Sequence, residues 1–162
     1  MDFSIRQATE RDCEELSKMF AEGDALHSKA LPQVFREAGV PARTRELISK
    51  LISDENAALF VAEYKGQTIG LVHVSIRESP TISVMVERRY AYVEDLVVAK
   101  EFRRHGIGQA LMNKAQRWAT QKKVSQLELN VWDFNEEAIT FFKGLGYTMA
   151  RHQMWKSIRQ AR

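Results

Sequence analysis

Apolar residues recur along this chain with two spacings, one typical of strands and one typical of helices. Alternation with β-branched residues predicts strands, whereas apolar positions three and four residues apart predict amphipathic helices. The strands are predicted at residues 3–7, 57–64, 67–76, 90–99 and 126–132, with a closing β-hairpin at 147–149 and 153–158. Helices are predicted from Thr9 to about residue 27, over 43–52, from Gly106 to about Lys122, and after Asn135, with loops at 31–42 and 77–89.

The predicted element order is β-α-α-β-β-β-α-β-α-β-β. The Lys65-Gly66 pair between two strand-like runs is a hairpin signal. The strand–helix–strand unit over 90–132 predicts two parallel strands with a right-handed crossover. We therefore expect a mixed α/β fold with a central, largely antiparallel sheet, one parallel strand pair and helices on both faces. With 162 residues and no linker-like or repetitive stretch, a single domain over 1–162 is expected.

Charge and hydropathy narrow the range of partners. The chain carries 24 Lys and Arg against 21 Asp and Glu, a formal net charge of +3. That excess suits a small anionic ligand, whereas a nucleic-acid-binding protein is expected to show a dense basic stripe. No run approaches the ~18 apolar residues of a membrane span, and residues 1–6 show no apolar signal region. We expect a cytoplasmic protein with neither a nucleic-acid nor a membrane partner.

The residues that most often bind metals or form disulfides are sparse. Cys13 is the single cysteine, and it falls on the apolar face of the first predicted helix with Leu16 and Phe20. It is therefore predicted to be a packing residue in a reducing compartment. The four histidines are isolated in sequence and show no ligand-like spacing. No metal site is expected.

The stretch Arg103-Arg104-His105-Gly106-Ile107-Gly108 lies between a predicted strand and a predicted helix. Such a turn, followed by the free N–H groups of a helix start, forms an anion site, so a phosphate-bearing ligand is expected. A P-loop would need Gly-Lys-Ser/Thr, which the chain lacks. A dinucleotide motif would need a third glycine where Leu111 stands, and the motif begins too late for a doubly wound sheet.

Two motifs resemble those of the GNAT superfamily of N-acetyltransferases. The run from Val93 to Val98, followed by Arg103 to Gly108, resembles its acetyl-CoA motif. Residues 135–147, with Asn135, Ala138 and the Phe141-Phe142 pair before Gly146-Tyr147, resemble its second motif. The resemblance implies a single GNAT-type domain in which the parallel strands splay apart. It also implies acetyl transfer from acetyl-CoA, as co-substrate, to a primary amine of a small molecule or a protein.

Cofactor contacts are carried over from the resemblance. The turn and helix start would bind the pyrophosphate, and the end of the preceding strand would pair its backbone with the pantetheine arm. A backbone N–H near Val97 would polarise the thioester carbonyl. Asn135 would contact the cofactor or act as a plain helix N-cap, two roles that the sequence does not separate. The predicted cofactor-binding residues are Leu96, Val97, Val98, Arg103, Arg104, His105, Gly106, Ile107, Gly108, Gln109, Asn135 and Phe142.

Glu94 is the candidate general base, because an ammonium group must lose a proton before it can attack a thioester. It matches the position where polyamine-acetylating members of the family carry a glutamate. Strand alternation predicts that Glu94 shares a face with Tyr92, Leu96 and Val98 and that Asp95, the second candidate for the base, points to the other face. The structural alternative is that Glu94 only pairs with a nearby arginine, Arg88 or Arg89.

Phe142 departs from the family pattern, since many relatives carry there a tyrosine that protonates the departing thiolate. Tyr147 is the candidate replacement acid, with Tyr90 and Tyr92 as alternatives. A thiol with a pKa of ~8.5 is also a tolerable leaving group as its anion. The departure keeps open a second function, that of a catalytically weak module that binds CoA as a sensor.

The acceptor side is expected at the end of the first helix, the 31–42 loop and the 77–89 connection. Asp24 and His27, three residues apart, would share a helix face and attract a cationic amine, and Tyr92 would line the site. Ordinary solvated polar residues are the alternative interpretation. An exposed sheet edge could also pair two copies into a homodimer.

Overall fold

The computed structural model describes residues 1–37 and 42–158, and these contain five β-strands and four α-helices. The strands are β1 (Ser4–Gln7), β2 (Ala57–Tyr64), β3 (Gln67–Glu78), β4 (Arg89–Val98) and β5 (Leu127–Leu129). The helices are α1 (Cys13–Ala30), α2 (Arg45–Ser53), α3 (Ile107–Gln121) and α4 (Glu136–Gly144), with short 3-10 turns at Glu10–Asp12 and Lys100–Phe102. Part of the predicted 31–42 loop, residues 38–41, lies outside the described residues.

The five strands form one sheet in the order β1-β2-β3-β4-β5. The first three pairings are antiparallel, and β4 and β5 are parallel. The crossover helix α3 connects the parallel pair, as a parallel connection requires. The predicted mixed, largely antiparallel sheet with one parallel pair is therefore confirmed.

Each face of the sheet is covered by helices. Leu59, Val61 and Leu71 lie on one face and form a core with α1 and α2, through residues such as Leu16, Phe20 and Ile48. Gly70 lies on the opposite face, where an added Cβ would approach Ile107 Cγ2 and Leu111 Cδ1 of α3 to 3.1 Å. The absence of a side chain at Gly70 thus allows α3 to pack closely against β3. This packing fixes the position of the start of α3.

A β-bulge interrupts the alternation of β4 at Glu94. His73 of β3 faces Asp95, but the next residue, Val74, faces Val93, so Glu94 is an extra residue in β4. Residues on either side of a bulge fall out of phase with each other. Asp95 therefore lies on the same face as Glu94, and the prediction that it points to the other face is wrong. Leu96 and Val98, opposite Val72 and Gly70, lie on the α3 face and not with Glu94.

The parallel pairing of β4 with β5 is short. It covers Ala91 to Val93 on β4 and ends at Leu129 on β5, whereas β4 continues to Val98 beside β3. The predicted strand at 126–132 is thus shortened to three residues. Beyond Val93, β4 has no strand neighbour on its β5 side among the described residues.

Residues 147–158 form no strand, so the predicted closing hairpin is wrong. Apolar side chains of this segment are exposed, with Met154 91% and Ile158 89% accessible. Alternation produces a strand only where a partner edge completes the hydrogen bonds and a second layer buries one face. Neither is present for this segment within the described residues.

The chain divides into two compact units, Met1–Asn130 and Val131–Arg162. The first contains the sheet with α1, α2 and α3, and the second contains α4. Within the second unit, Phe142 makes edge-to-face ring contacts with Phe141 and Tyr147, and Trp132 contacts Trp155. Among the described residues, no helix has the length and apolar character needed to cross a membrane.

Candidate acyl-donor and acceptor site

The start of α3 has the geometry of an anion site. Gly106 precedes the helix with φ of +79°, a left-handed conformation that favours glycine. The N–H of Ala110 donates to the Gly106 carbonyl as the first helical hydrogen bond. The N–H groups of residues 107–109 come before this bond and have no acceptor within the helix. Together with the positive end of the helix dipole, they favour a negatively charged ligand.

Basic side chains surround this turn, and Arg103 to Gly106 are exposed. The Nε of Arg103 donates to the Val98 carbonyl at 3.0 Å, which attaches the turn to the end of β4. The ring Nδ1 of His105 lies 3.2 Å from the Phe102 carbonyl. Arg104 also adopts a left-handed conformation, with φ of +65°. The predicted pyrophosphate-binding residues therefore lie together at one end of α3.

The open edge of β4 leads directly to this turn. The N–H of Ala99 donates to the Ile69 carbonyl, so Ala99 forms a hydrogen-bonded pair with β3. In an antiparallel ladder such pairs alternate along the strand. Residues 96 and 98 therefore direct their N–H and C=O groups away from β3, towards the edge that β5 leaves open. By this alternation both backbone groups of Leu96 and the N–H of Val98, more than those of Val97, face the open edge, whereas the Val98 carbonyl is bonded by Arg103.

Glu94 is held by two partners on β3. Its Oε1 accepts a hydrogen bond from the Ser75 hydroxyl at 2.5 Å, and the Arg77 guanidinium contacts both of its oxygens at 2.7–3.1 Å. The predicted alternative partners bind elsewhere. Arg88 pairs with Glu128, and Arg89 donates to the Lys122 carbonyl. Glu94 therefore pairs with an arginine, but with Arg77 across the strand pair and not with Arg88 or Arg89.

Asp95 belongs to a second polar network. Its Oδ2 lies 3.4 Å from the His73 Nδ1, and its Oδ1 accepts from the Arg43 guanidinium at 3.0 Å. Sequence analysis assigned no role to Arg43 or His73 and placed Asp95 on the wrong face. No sequence signal identifies them, because the bulge at Glu94 and the approach of Arg43 to β4 are tertiary features.

The three predicted acceptor-side residues have different surroundings. Asp24 pairs with Arg43 at 2.7 Å, and through it connects to Asp95. The ring of Tyr92 lies 3.6 Å from the Arg77 guanidinium carbon. The ring Nδ1 of His27 lies 2.9 Å from the Gly23 carbonyl oxygen, a hydrogen-bond acceptor, and the His27 ring contacts that of Phe35. The structure thus connects Asp24 to the Asp95 network and Tyr92 to Arg77, whereas His27 contacts its own helix and Phe35.

The second unit holds the residues of the second motif. The Oδ1 of Asn135 accepts from the Ala138 N–H at 3.1 Å, so Asn135 is the N-cap of α4. The Tyr147 ring lies 5.6 Å from that of Phe142. Burial raises the pKa of Tyr147 to about 12, because the phenolate is less well solvated than in water. Its hydroxyl therefore keeps its proton at neutral pH.

Cys13 has no features of a reactive thiol. It is 1% exposed within the α1 core, as predicted for a packing residue. Burial, followed by the nearby Glu10 carboxylate, raises the pKa of its thiol. Over residues 1–37 and 42–158, no three His, Cys, Asp or Glu side chains are arranged to hold a metal ion.

Comparison with known proteins shows that this chain is similar in sequence to proteins named as acetyltransferases. Streptothricin acetyltransferase A of Bacillus subtilis is 31% identical over 111 residues, 65% of this chain and 64% of that relative. Bovine thialysine N-epsilon-acetyltransferase is 41% identical over 58 residues, 36% of this chain and 34% of that relative. The chain thus spans less than two thirds of the length of these curated relatives.

The fold also matches a solved structure over nearly its whole length. A mutant of the BH1408 protein from Bacillus halodurans has a TM-score of 0.90 at 24% identity, covering 96% of this chain and 99% of that one. At this identity the likeness shows the fold. The model of the acetyltransferase (GNAT) family matches residues 5–147, most of the chain. Because this match covers most of the chain, the chain belongs to the GNAT acetyltransferase family.

Proposed function

We propose that this protein is an N-acetyltransferase that transfers the acetyl group of acetyl-CoA to a primary amine of a small molecule or a protein. The observation that carries the proposal is the path of β4. Its parallel neighbour ends at Leu129, its backbone stays open through Val98, and it leads into the exposed turn before α3. An extended pantetheine arm and a pyrophosphate would be bound by these two neighbouring features.

The residues present fit acetyl-CoA. The N–H groups of residues 107–109, which have no acceptor within the helix, would supply donors for the pyrophosphate, and the exposed Arg103 and Arg104 would supply positive charge. Leu96 and Val98 supply backbone groups for the amide-bearing arm. When bound, acetyl-CoA supplies an acyl carbonyl joined to a thiol leaving group. The remaining predicted contacts, at Val97, His105, Gln109, Asn135 and Phe142, stay proposals.

Glu94 is the proposed proton acceptor and Tyr147 the proposed proton donor. Glu94 would take a proton from the acceptor's ammonium group, directly or through water, once Arg77 or Ser75 releases one of its oxygens. Tyr147, neutral at physiological pH, would donate its proton to the thiolate. An N–H of Leu96 or Val98 would stabilise negative charge on the carbonyl oxygen. The family model extends across residue 130, which supports both compact units acting as one domain.

Two measurements test the proposal. Calorimetry should show binding of acetyl-CoA to the full chain, and steady-state thiol release should show turnover with at least one amine of a broad panel. Binding without turnover on any amine would favour the alternative function, a CoA-binding sensor, for which Phe142 in place of the usual tyrosine is the supporting observation. No binding at millimolar acetyl-CoA would refute both functions.

A further inference from the structure

A cationic side chain of the protein itself, that of Arg43, is bound to Asp95, the residue that follows Glu94. The Arg43 guanidinium lies between two carboxylates, with Nη1 2.7 Å from Asp24 Oδ2 and Nη2 3.0 Å from Asp95 Oδ1. Its carbon lies 4.4 Å from the centre of the Phe20 ring, within range of a cation–π contact. Two anions and an aromatic face are the groups that proteins use to bind organic cations.

The surroundings differ from those of an exposed ion pair. The side chains of Arg43 and Asp95 are only 23% and 19% exposed. Asp95 is also contacted by His73, whose ring is nine-tenths buried and whose Nε2 has no hydrogen-bond partner among the described residues. A buried ring nitrogen without a partner is uncommon in native proteins. The network therefore retains an unused hydrogen-bonding group on the histidine that contacts Asp95.

The position of this network relates it to the proposed chemistry. The bulge places Asp95 on the same face as Glu94, the residue immediately before it. The α-carbons of consecutive residues are ~3.8 Å apart. A molecule with two amino groups could thus present one to Glu94 and the other to Asp95 and Asp24.

The backbone of Arg43 is fixed to α1, but its side chain is free to move away from Asp24 and Asp95. It lies between α1 and α2, in neither helix nor strand. Its carbonyl accepts a hydrogen bond from the Ser17 hydroxyl at 2.8 Å, which holds the backbone to α1. The long, flexible side chain can therefore move while the backbone stays in place.

We propose that Arg43 occupies a cation subsite formed by Asp24, Asp95 and Phe20, and that the second ammonium group of a di- or polyamine acceptor replaces it there. The inference rests on the proposed function and specifies its substrate class. Arg43 then acts as an internal competitor that determines specificity. Acceptors with two cationic groups displace it, and monoamines do not.

The experiment compares 1,4-diaminobutane with butylamine, which has the same carbon chain but one amino group. Arg43→Met keeps an unbranched side chain near Phe20 and removes the charge. We expect it to lower KM for the diamine about fivefold, the size of a partly exposed ion pair, and to change KM for butylamine less than twofold. Asp24→Asn should raise KM for the diamine alone. Arg11→Met, which removes an exposed arginine elsewhere on the first unit, is the matched control.

Calorimetry with each amine, without acetyl-CoA, gives the same comparison independently of turnover. The proposal is overturned if Arg43→Met changes KM for both amines equally or weakens binding of the diamine. It is also overturned if Arg43→Met and Arg11→Met have the same KM for the diamine. Should Arg43→Met fail to fold, Asp24→Asn on the surface of α1 still decides the question, since an unchanged diamine KM contradicts the subsite. If acetyl-CoA binds and is turned over but the diamine has no advantage, this inference fails and the proposed function stands.

Discussion

At the scale of single residues, Glu94 and Tyr147 are the side chains on which the proposed chemistry depends. The surroundings of both side chains differ from what their residue types and their spacing in the sequence suggest. Glu94 accepts hydrogen bonds from Arg77 and Ser75. Burial of Tyr147 raises its pKa to about 12. Sequence could name both residues, but it could not identify these environments, because Arg77 reaches Glu94 only through the pairing of β3 with β4.

Replacing Glu94 by glutamine should lower kcat about 10²-fold at neutral pH, the usual contribution of a general base. The defect should shrink as the pH approaches the amine pKa of ~10.4, where the amine loses its proton without help. A pH–rate profile from 6 to 10 measures this. Glu78→Gln, which removes an exposed carboxylate at the end of β3, should have no effect. Parallel profiles for Glu94→Gln and the wild type would eliminate Glu94 as the base.

Replacing Tyr147 by phenylalanine should slow thiol release at least tenfold and leave the Kd for acetyl-CoA unchanged, because only the donated proton is lost. Ultraviolet titration should show a tyrosine ionising at about pH 12 in the wild type and not in Tyr147→Phe. Since the folded-state pKa exceeds the unfolded value, stability should fall as the pH rises from about 10 through 12. Tyr64→Phe is the control, and an unchanged rate in Tyr147→Phe would mean that the thiolate leaves unaided.

At the scale of elements, the strand–turn–helix unit from β4 to α3 carries the most function. Both elements were predicted nearly to the residue, because a buried strand and an amphipathic helix have strong periodicity. The bulge at Glu94 was not predicted. A bulge leaves no mark on the local amino-acid composition. It nevertheless moves every side chain that follows in the strand to the opposite face from the one that simple alternation predicts.

Gly106→Ala tests the turn before α3. An alanine at φ of +79° is strained but clashes with nothing, since no atom lies within 4 Å of the added Cβ. We expect a loss of about 1 kcal/mol in the free energy of unfolding. The Kd for acetyl-CoA should also rise about tenfold, because the N–H groups lose their alignment.

Gly66→Ala is a matched control for this change. Gly66, in the hairpin between β2 and β3, has the same φ of +79° and the same open surroundings. It should cost similar stability and leave the Kd unchanged. Equal Kd values for the two variants by calorimetry would argue against binding at the α3 turn.

At the scale of the whole molecule, an ion pair connects the first strand to the first helical turn. Arg6 of β1 contacts both oxygens of Asp12 at 2.8 Å, and Asp12 also accepts from the Thr9 N–H at 2.7 Å. Asp12 is 4% exposed. The hydrogen bond from Arg6 is the main reason that the pKa of Asp12 falls to about 2.

A lowered folded-state pKa stabilises the fold above the unfolded value of 3.8, and this stabilisation is lost as the pH falls through about 2. We expect Asp12 to contribute about 2 kcal/mol to the acid-induced loss of stability. Denaturant unfolding between pH 6 and 2 measures it. Asp12→Asn should flatten this dependence, and Glu14→Gln, on the exposed side of α1, should alter it much less. Identical slopes for wild type and Asp12→Asn would contradict the assignment.

The sequence by itself determined the element order as far as α4, the mixed sheet and the glycine-bearing turn, because periodicity, hairpin residues and helix starts are local properties. It also determined the family, through two motifs whose residues are close in the chain. Only the tertiary structure decided that β5 is short, that residues 147–158 form no hairpin, and that Asp95 joins Glu94 on one face. These depend on which strand edges and side chains meet across the sheet. The position of Arg43 between Asp24 and Asp95 is also decided by the tertiary structure. Arg43 is 19 positions from Asp24 and 52 positions from Asp95 in the sequence, so the three meet only in the folded chain.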